Sequence, residues 1–287
     1  NIETHGMVPP EALANAPDWR EAFVERVRRM LYRDRAHPSV IFWSLGNESG
    51  LGAHHRELAD WLRQKDSTRL VHYEPASWED DGPTDILCPM YARVPECRAL
   101  LAKCRSKPLV LCEYAHAMGN SCGNLDVYWD AFRSEPRFQG GFIWDFVDQG
   151  LWLRRDDDES FWAYGGDFGE QPTDGTFCIN GLLLPDRGFK PTWHEVVAAQ
   201  RPFDIELDGV VVVRSRLPPW VELADTFVFS WRIEVDGLRV DTSTEPQRGR
   251  RRVGEASVDL GASVELDVPG LDTLVKRRPQ AQCWLSV

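Results

Sequence analysis

The sequence predicts an α/β fold: the C-terminal part of a (β/α)8 TIM barrel over residues 1–203, then an antiparallel β-sandwich domain over residues 204–287. Three observations predict it. Short, continuous apolar runs alternate with amphipathic helical stretches up to about residue 200, the pattern of a parallel sheet covered on its outside. Acidic residues close several of these runs, at the strand ends where such barrels carry their chemistry. After about Pro202 the helical period disappears and alternating runs replace it.

Taken in order, Phe23, Val24, Val27, Met30 and Leu31 recur at helical spacing between Trp19 and Arg33. Ser39 to Leu45 then reads as a buried strand, Ala53 to Lys65 as a helix, and Leu70 to Tyr73 and Ile86 to Met90 as strands. Cys97 to Lys103 reads as a short helix, Pro108 to Cys112 as a strand, Leu125 to Arg133 as a helix and Gly141 to Phe146 as a strand. In the second domain the runs are Val210 to Val213, Thr226 to Ile233 and Ala256 to Val268, with Asp236-Gly237 as a hairpin turn. The basic run Arg248 to Arg252 reads as a solvated loop.

Composition narrows the function. A net charge of -12 with scattered basic residues argues against a nucleic-acid partner. No apolar run approaches the roughly 18 residues needed to cross a bilayer, so no membrane span is expected. Seven cysteines without a CxxC pair, Cys88 and Cys112 among them inside apolar runs, read as reduced thiols and point to the cytoplasm. Tryptophan beside Glu, Asp or Gly at the ends of apolar runs, as in Ile143-Trp144-Asp145, suits sugar faces.

Two glutamates carry the chemical argument. Glu48 closes the run ending Ser44-Leu45-Gly46-Asn47, and Glu113 closes Leu109-Val110-Leu111-Cys112. One such residue is commonly a structural ion pair, but two at strand ends, flanked by Asn47 and by Tyr114 and His116, match what glycoside cleavage needs. One carboxyl group helps the leaving oxygen depart and the other meets the oxocarbenium-like carbon.

The segments Asn1 to Gly6, Ser44 to Gly50, Cys88 to Arg93, Leu111 to Asn120 (LCEYAHAMGN), Gly140 to Asp145 and Phe177 to Gly181 resemble the large bacterial β-galactosidases of glycoside hydrolase family 2. LCEYAHAMGN is highly specific, and the segments keep the family's order and spacing to about residue 200. The resemblance implies retaining hydrolysis of terminal β-D-galactosyl residues, with Glu48 as acid/base, Glu113 as nucleophile and Tyr91 assisting beside it. It further implies Asn47, His116 and Trp144 as substrate contacts. Glu3, His5 and Glu48 would hold Mg2+, and the Phe177 carbonyl with Asn180 would form part of a site for Na+ or another monovalent cation.

Asn1 would lie at the end of the third barrel strand. The first two strands and most of the third are therefore expected outside this chain, which alone should be unstable and weakly active, whereas the full-length enzyme is expected to be a homo-oligomer. Related readings are a β-glucuronidase or β-mannosidase of the same family and a non-catalytic descendant. A zinc hydrolase built on His5, His54 and His55 is a weaker alternative, because adjacent histidines do not share one helical face.

Overall fold

The computed structural model describes residues 2–79, 82–154, 160–208 and 210–217, with short pieces at 229–230, 232–235, 238–242, 250–251, 263–266, 268 and 283–286. The chain divides into two compact units, Asn1–Ala199 and Gln200–Val287.

In the first unit, α1 (Ala12–Asn15) leads into the long helix α2 (Arg20–Asp34), which buries Phe23, Val27 and Leu31 at four-residue intervals. Strand β1 (Phe42–Ser44) follows, then α3 (Ala53–Lys65), β2 (Leu70–His72) and α4 (Val94–Lys103). Pro95 sits in the first turn of α4, where its missing N–H costs nothing, and the Glu96 carboxylate accepts the Arg93 N–H at 2.7 Å. Next come β3 (Leu109–Tyr114), α5 (Leu125–Ser134) and β4 (Phe138–Ile143). A hairpin of β5 (Leu151–Arg154) and β6 (Ser160–Ala163) precedes α6 (Pro191–Gln200).

The strands add to one another in sequence order and in parallel. Glu3 bridges Asn47, β1 pairs with β2, Leu87 and Met90 bridge β3, β3 pairs with β4, and Val147 bridges Leu183. The Asp85 N–H donates to the Val71 carbonyl at 2.8 Å, which joins β2 to the next segment. Such a singly wound order is that of a barrel wall. Curvature is visible as well: Phe42, His72, Cys88, Val110, Cys112 and Phe142, from five successive strand positions, line one cavity.

Outside the wall, two apolar clusters hold the helices on. One joins α2 and α3 to Trp43, Leu45, Val71 and Tyr73, and the other joins α4 and α5 to Leu109, Leu111, Tyr114 and Phe138. Truncating a fully buried member such as Leu111 to alanine costs about 2–5 kcal/mol.

Several boundaries differ from the sequence reading. Ile86 to Met90 is not a regular strand but two isolated bridges, at Leu87 and Met90. Pro89 between them has no N–H for the ladder. The strand expected at Gly141 to Phe146 begins earlier and ends at Ile143, because the chain then turns to bond other partners: the Trp144 carbonyl accepts the Ala117 N–H and the Asp145 N–H donates to the Asn180 carbonyl. The strand expected from Ser39 starts at Phe42, since the Val40 N–H closes a turn on His37.

The second unit carries two antiparallel sheets. One orders β11 (Arg250–Arg251), β12 (Ser263–Leu266), β8 (Val210–Ser215) and β7 (Phe203–Asp208), and the other orders β10 (Leu238–Thr242), β9 (Arg232–Val235) and β13 (Cys283–Ser286). Arg250 and Arg251, read from sequence as loop, pair with β12. The Asp236-Gly237 turn, half of the Thr226 to Ile233 run and most of the Ala256 to Val268 run lie outside the described residues.

Candidate active site

The site forms where parallel strands end. Glu48 follows β1, Tyr91 follows the Leu87 and Met90 bridges, and Glu113 lies near the end of β3. Glu48, Tyr91 and Ala115 adopt positive φ values of 40, 52 and 49°. Left-handed backbone at a non-glycine residue costs roughly 1–2 kcal/mol, so each is held there by its neighbours.

Two clusters result. In the first, the Tyr91 hydroxyl donates to Glu113 Oε2 at 2.5 Å, while the Tyr91 N–H donates to the Glu113 carbonyl at 2.8 Å. Burial pushes the Glu113 carboxyl above the usual carboxylate range. The Tyr91 bond opposes that rise, and the charges of Glu48, Glu3 and Asp145 add to it. The Tyr91 phenol is pushed well up, chiefly by burial and then by Glu113.

In the second cluster, His5 Nδ1 lies 2.6 Å from Glu48 Oε2, and Asn47 Nδ2 donates to Glu3 Oε2 at 2.8 Å. Gly46 makes this approach possible: its φ is +148°, and a Cβ there would lie 2.6 Å from the Ile2 carbonyl oxygen. Glu3, His5 and Glu48 each offer one ligand atom within 4.8 Å of the others. Two carboxylates and an imidazole in open contact with solvent are a donor set that fits a hydrated hard cation such as Mg2+.

His116 lies beside the first cluster, its ring 5.7 Å from that of Tyr91 and stacked at 6.0 Å on Phe177. Trp144 is partly exposed one residue beyond β4. Asn180 is buried, its amide donates to the Phe177 carbonyl at 3.1 Å, and its own Oδ1 has no hydrogen-bond partner. An orphaned buried oxygen beside a carbonyl fits a monovalent cation. His54 and His55, by contrast, lie in the core: His54 bonds the Ala16 carbonyl and His55 stacks on Tyr73, so neither joins His5 in a zinc site.

Two further acidic residues belong to this neighbourhood. Asp145 acts electrostatically on Glu113. Glu74 follows β2 and is raised by burial; the Trp78 indole N–H, 2.7 Å away, opposes this rise, and Cys88 and Glu48 add to it. Glu74 closes the Leu70 to Tyr73 run just as Glu48 and Glu113 close theirs, so the signal for it was present in the sequence. A cleft of about 1160 Å³ between α2 and residues Ser44 to Gly46 is lined by none of these side chains.

The family described as "Glycosyl hydrolases family 2, TIM barrel domain" matches residues 1–205. The chain belongs to that family. It is 43% identical to a β-galactosidase of Aeromonas hydrophila over 307 residues, covering 100% of this chain and 28% of that protein. With a β-galactosidase of Enterobacter cloacae the identity is 48% over 251 residues, covering 83% and 24%. The chain thus spans about a quarter of the length of these relatives. Among solved structures it is similar to an FMN-binding β-glucuronidase from Facaelibacterium prausnitzii L2-6, at 16% identity and a TM-score of 0.48, covering 88% of this chain and 42% of that one. No helix among the described residues is long and apolar enough to cross a membrane.

Proposed function

We propose that this chain is the catalytic part of a retaining β-galactosidase. The observation that carries the reading is the arrangement around Glu113, which is bonded by Tyr91, half-buried, and within the electrostatic reach of a second strand-end carboxylate, Glu48. Family membership and the β-galactosidase relatives support the sugar.

In this mechanism Glu113, ionised, attacks the anomeric carbon while Glu48 gives a proton to the departing oxygen. Tyr91 holds the Glu113 carboxylate in place and keeps one of its oxygens solvated by a hydrogen bond. Glu48 then takes a proton from the water that releases galactose, and configuration is retained. Asn47, His116 and Trp144 are the substrate contacts, with Asn47 placed beside Glu48 to bond a sugar hydroxyl.

Glu3, His5 and Glu48 would hold Mg2+, which when bound supplies fixed positive charge beside the acid/base. Asn180 and the Phe177 carbonyl would hold Na+ or another monovalent cation. The same reading makes residues 204–287 a β-sandwich, supported by the two antiparallel sheets and the Phe203–Phe229 ring contact at 5.6 Å. It puts the full-length enzyme in the cytoplasm as a homo-oligomer, with no nucleic-acid or membrane partner, in keeping with free thiols at Cys88, Cys97, Cys104, Cys112, Cys122 and Cys178.

The test is a pair of variants assayed on aryl glycosides with azide. Glu48→Gln should keep turnover of activated aryl β-galactosides and give β-galactosyl azide, whereas Glu113→Gln should lose activity by several orders of magnitude. Azide rescue of Glu113→Gln with retained stereochemistry would reverse the two roles. A preference for aryl glucuronides or mannosides over galactosides would overturn the assigned sugar.

A further inference from the structure

Below the carboxylates, on the inner face of the same wall, two thiols meet. Cys88 is fully buried and Cys112 partly exposed, and the Cys112 thiol donates to the Cys88 carbonyl at 3.0 Å. Ser77 fixes Cys88 from the other side: its Oγ accepts the Cys88 N–H at 2.7 Å and donates to Cys88 Sγ at 3.5 Å. Both cysteines line a narrow cavity of about 10 Å³ together with His72, Phe42 and Phe142. His72 Nδ1 is buried without a hydrogen-bond partner.

The electrostatics make one thiol easy to ionise. The neighbouring Cys112 side chain pulls the Cys88 thiol down; burial opposes this, and the adjacent His72 ring reinforces it. Cys112 is pushed up in return, so the pair gives up a first proton readily and a second reluctantly. The bridges Leu87–Leu109 and Met90–Glu113 leave Cys88 and Cys112 on adjacent segments out of direct register, with the Cys112 sulfur on the Cys88 main chain, so joining the two sulfurs slides one segment along the other.

We propose that Cys88 and Cys112 are an oxidisable dithiol that closes reversibly to an intrachain disulfide by exchange with a low-molecular-weight disulfide, and that closure lowers turnover at the carboxylates. Cys112, the more accessible, attacks the small disulfide as its proton passes to the Cys88 thiolate, forms a mixed disulfide and expels one small thiolate. Cys88 then attacks Cys112 Sγ, forms the Cys88–Cys112 bond and expels the second. The protein thiols lose two electrons and two protons; the small disulfide gains both and leaves as two thiols. His72 is placed to take the proton of Cys88.

The consequence for the site follows from the chain. Cys112 immediately precedes Glu113, and Tyr91 comes three residues after Cys88. Drawing the two sulfurs to the disulfide distance of about 2.05 Å tightens the strand pair just below the Tyr91–Glu113 contact.

Incubating the purified protein with oxidised glutathione and mapping tryptic peptides without reduction tests this. The expected result is peptide Leu70–Arg93 joined to Ser106–Arg133 with loss of two hydrogens, fragmentation placing the bond at Cys112 and not Cys122. Turnover of an aryl β-galactoside should fall at least about tenfold, since displacements on the order of 1 Å at a reacting group can cost about 100-fold, and dithiothreitol should restore it. Cys88→Ser and Cys112→Ser should each remain active and lose the sensitivity. Glutathionylation at Cys104 with no linked peptide would overturn the disulfide, and a linked peptide with unchanged turnover would overturn the coupling. A protein inactive on galactosides in both redox states would fail the assigned activity, and the peptide map would still decide the dithiol.

Discussion

Tyr91 and Glu113 are joined twice, hydroxyl to carboxylate at 2.5 Å and amide to carbonyl at 2.8 Å. The first bond favours the ionised carboxylate against burial and three neighbouring acidic charges.

Tyr91→Phe removes that donor while keeping the ring. The Glu113 carboxyl should then rise further, and the acid limb of the kcat/KM profile should move to higher pH. Turnover should fall about 100-fold, the usual scale for losing one preorganised donor. A pH–rate profile whose acid limb stays in place or moves down would show that Tyr91 does not govern Glu113.

Burial raises the Glu113 carboxyl in the folded chain above its unfolded value near about 4.3. The folded state therefore keeps the proton longer, and stability is lost as pH rises through the folded value. Glu113→Gln should melt higher than the parent at pH 7, and that advantage should vanish below about pH 4. Thermal unfolding at both pH values checks this; equal melting temperatures at pH 7 would count against it.

Removing divalent cations should slow poor leaving groups more than good ones, because in the proposed mechanism only the former depend on the proton from Glu48. Glu3→Gln should shrink that difference by weakening the ligand set of Glu3, His5 and Glu48. A leaving-group series measured with and without chelator decides it, and uniform losses across the series would contradict the role.

Asp66 ties α3 to β1: it accepts the Trp43 indole N–H at 2.9 Å, the Thr68 N–H at 2.9 Å and the Arg69 guanidinium at 2.7 Å. Burial pushes its carboxyl up, but these bonds together hold it well below the usual range. Its contribution is thus present above about pH 3.9, the unfolded value, and is lost only as pH falls through the lowered one. Asp66→Ala removes the acceptor shared by Trp43, Thr68 and Arg69, while the Arg69 guanidinium keeps the carbonyls of Arg35, His37 and Val40, and should cost about 1.5–3 kcal/mol in urea unfolding at neutral pH.

Much of the site was legible because its chemistry sits next to strong patterns: an apolar run followed by an acid announces Glu48 and Glu113 without any knowledge of the fold. The same rule applied to Leu70–Tyr73 would have found Glu74. Asp145 was harder, because its approach to Glu113 depends on the turn after β4, where its N–H bonds the Asn180 carbonyl, a tertiary contact. The 87–90 segment reads as a strand by composition, yet Pro89 removes a ladder donor that composition does not count. Joining Glu3 and His5 to Glu48 rested on family resemblance alone, since the closeness of those segments is set by Gly46 and the Ile2–Asn47 bond, a tertiary contact.

The double link between Tyr91 and Glu113 ties a carboxylate to a phenol through main chain and side chain at once. A shift of either strand end carries both residues along, which leaves their mutual distance insulated from changes in the surrounding loops. On the proposed function, variation elsewhere on the rim would retune which glycoside enters while the setting of Glu113 is inherited intact.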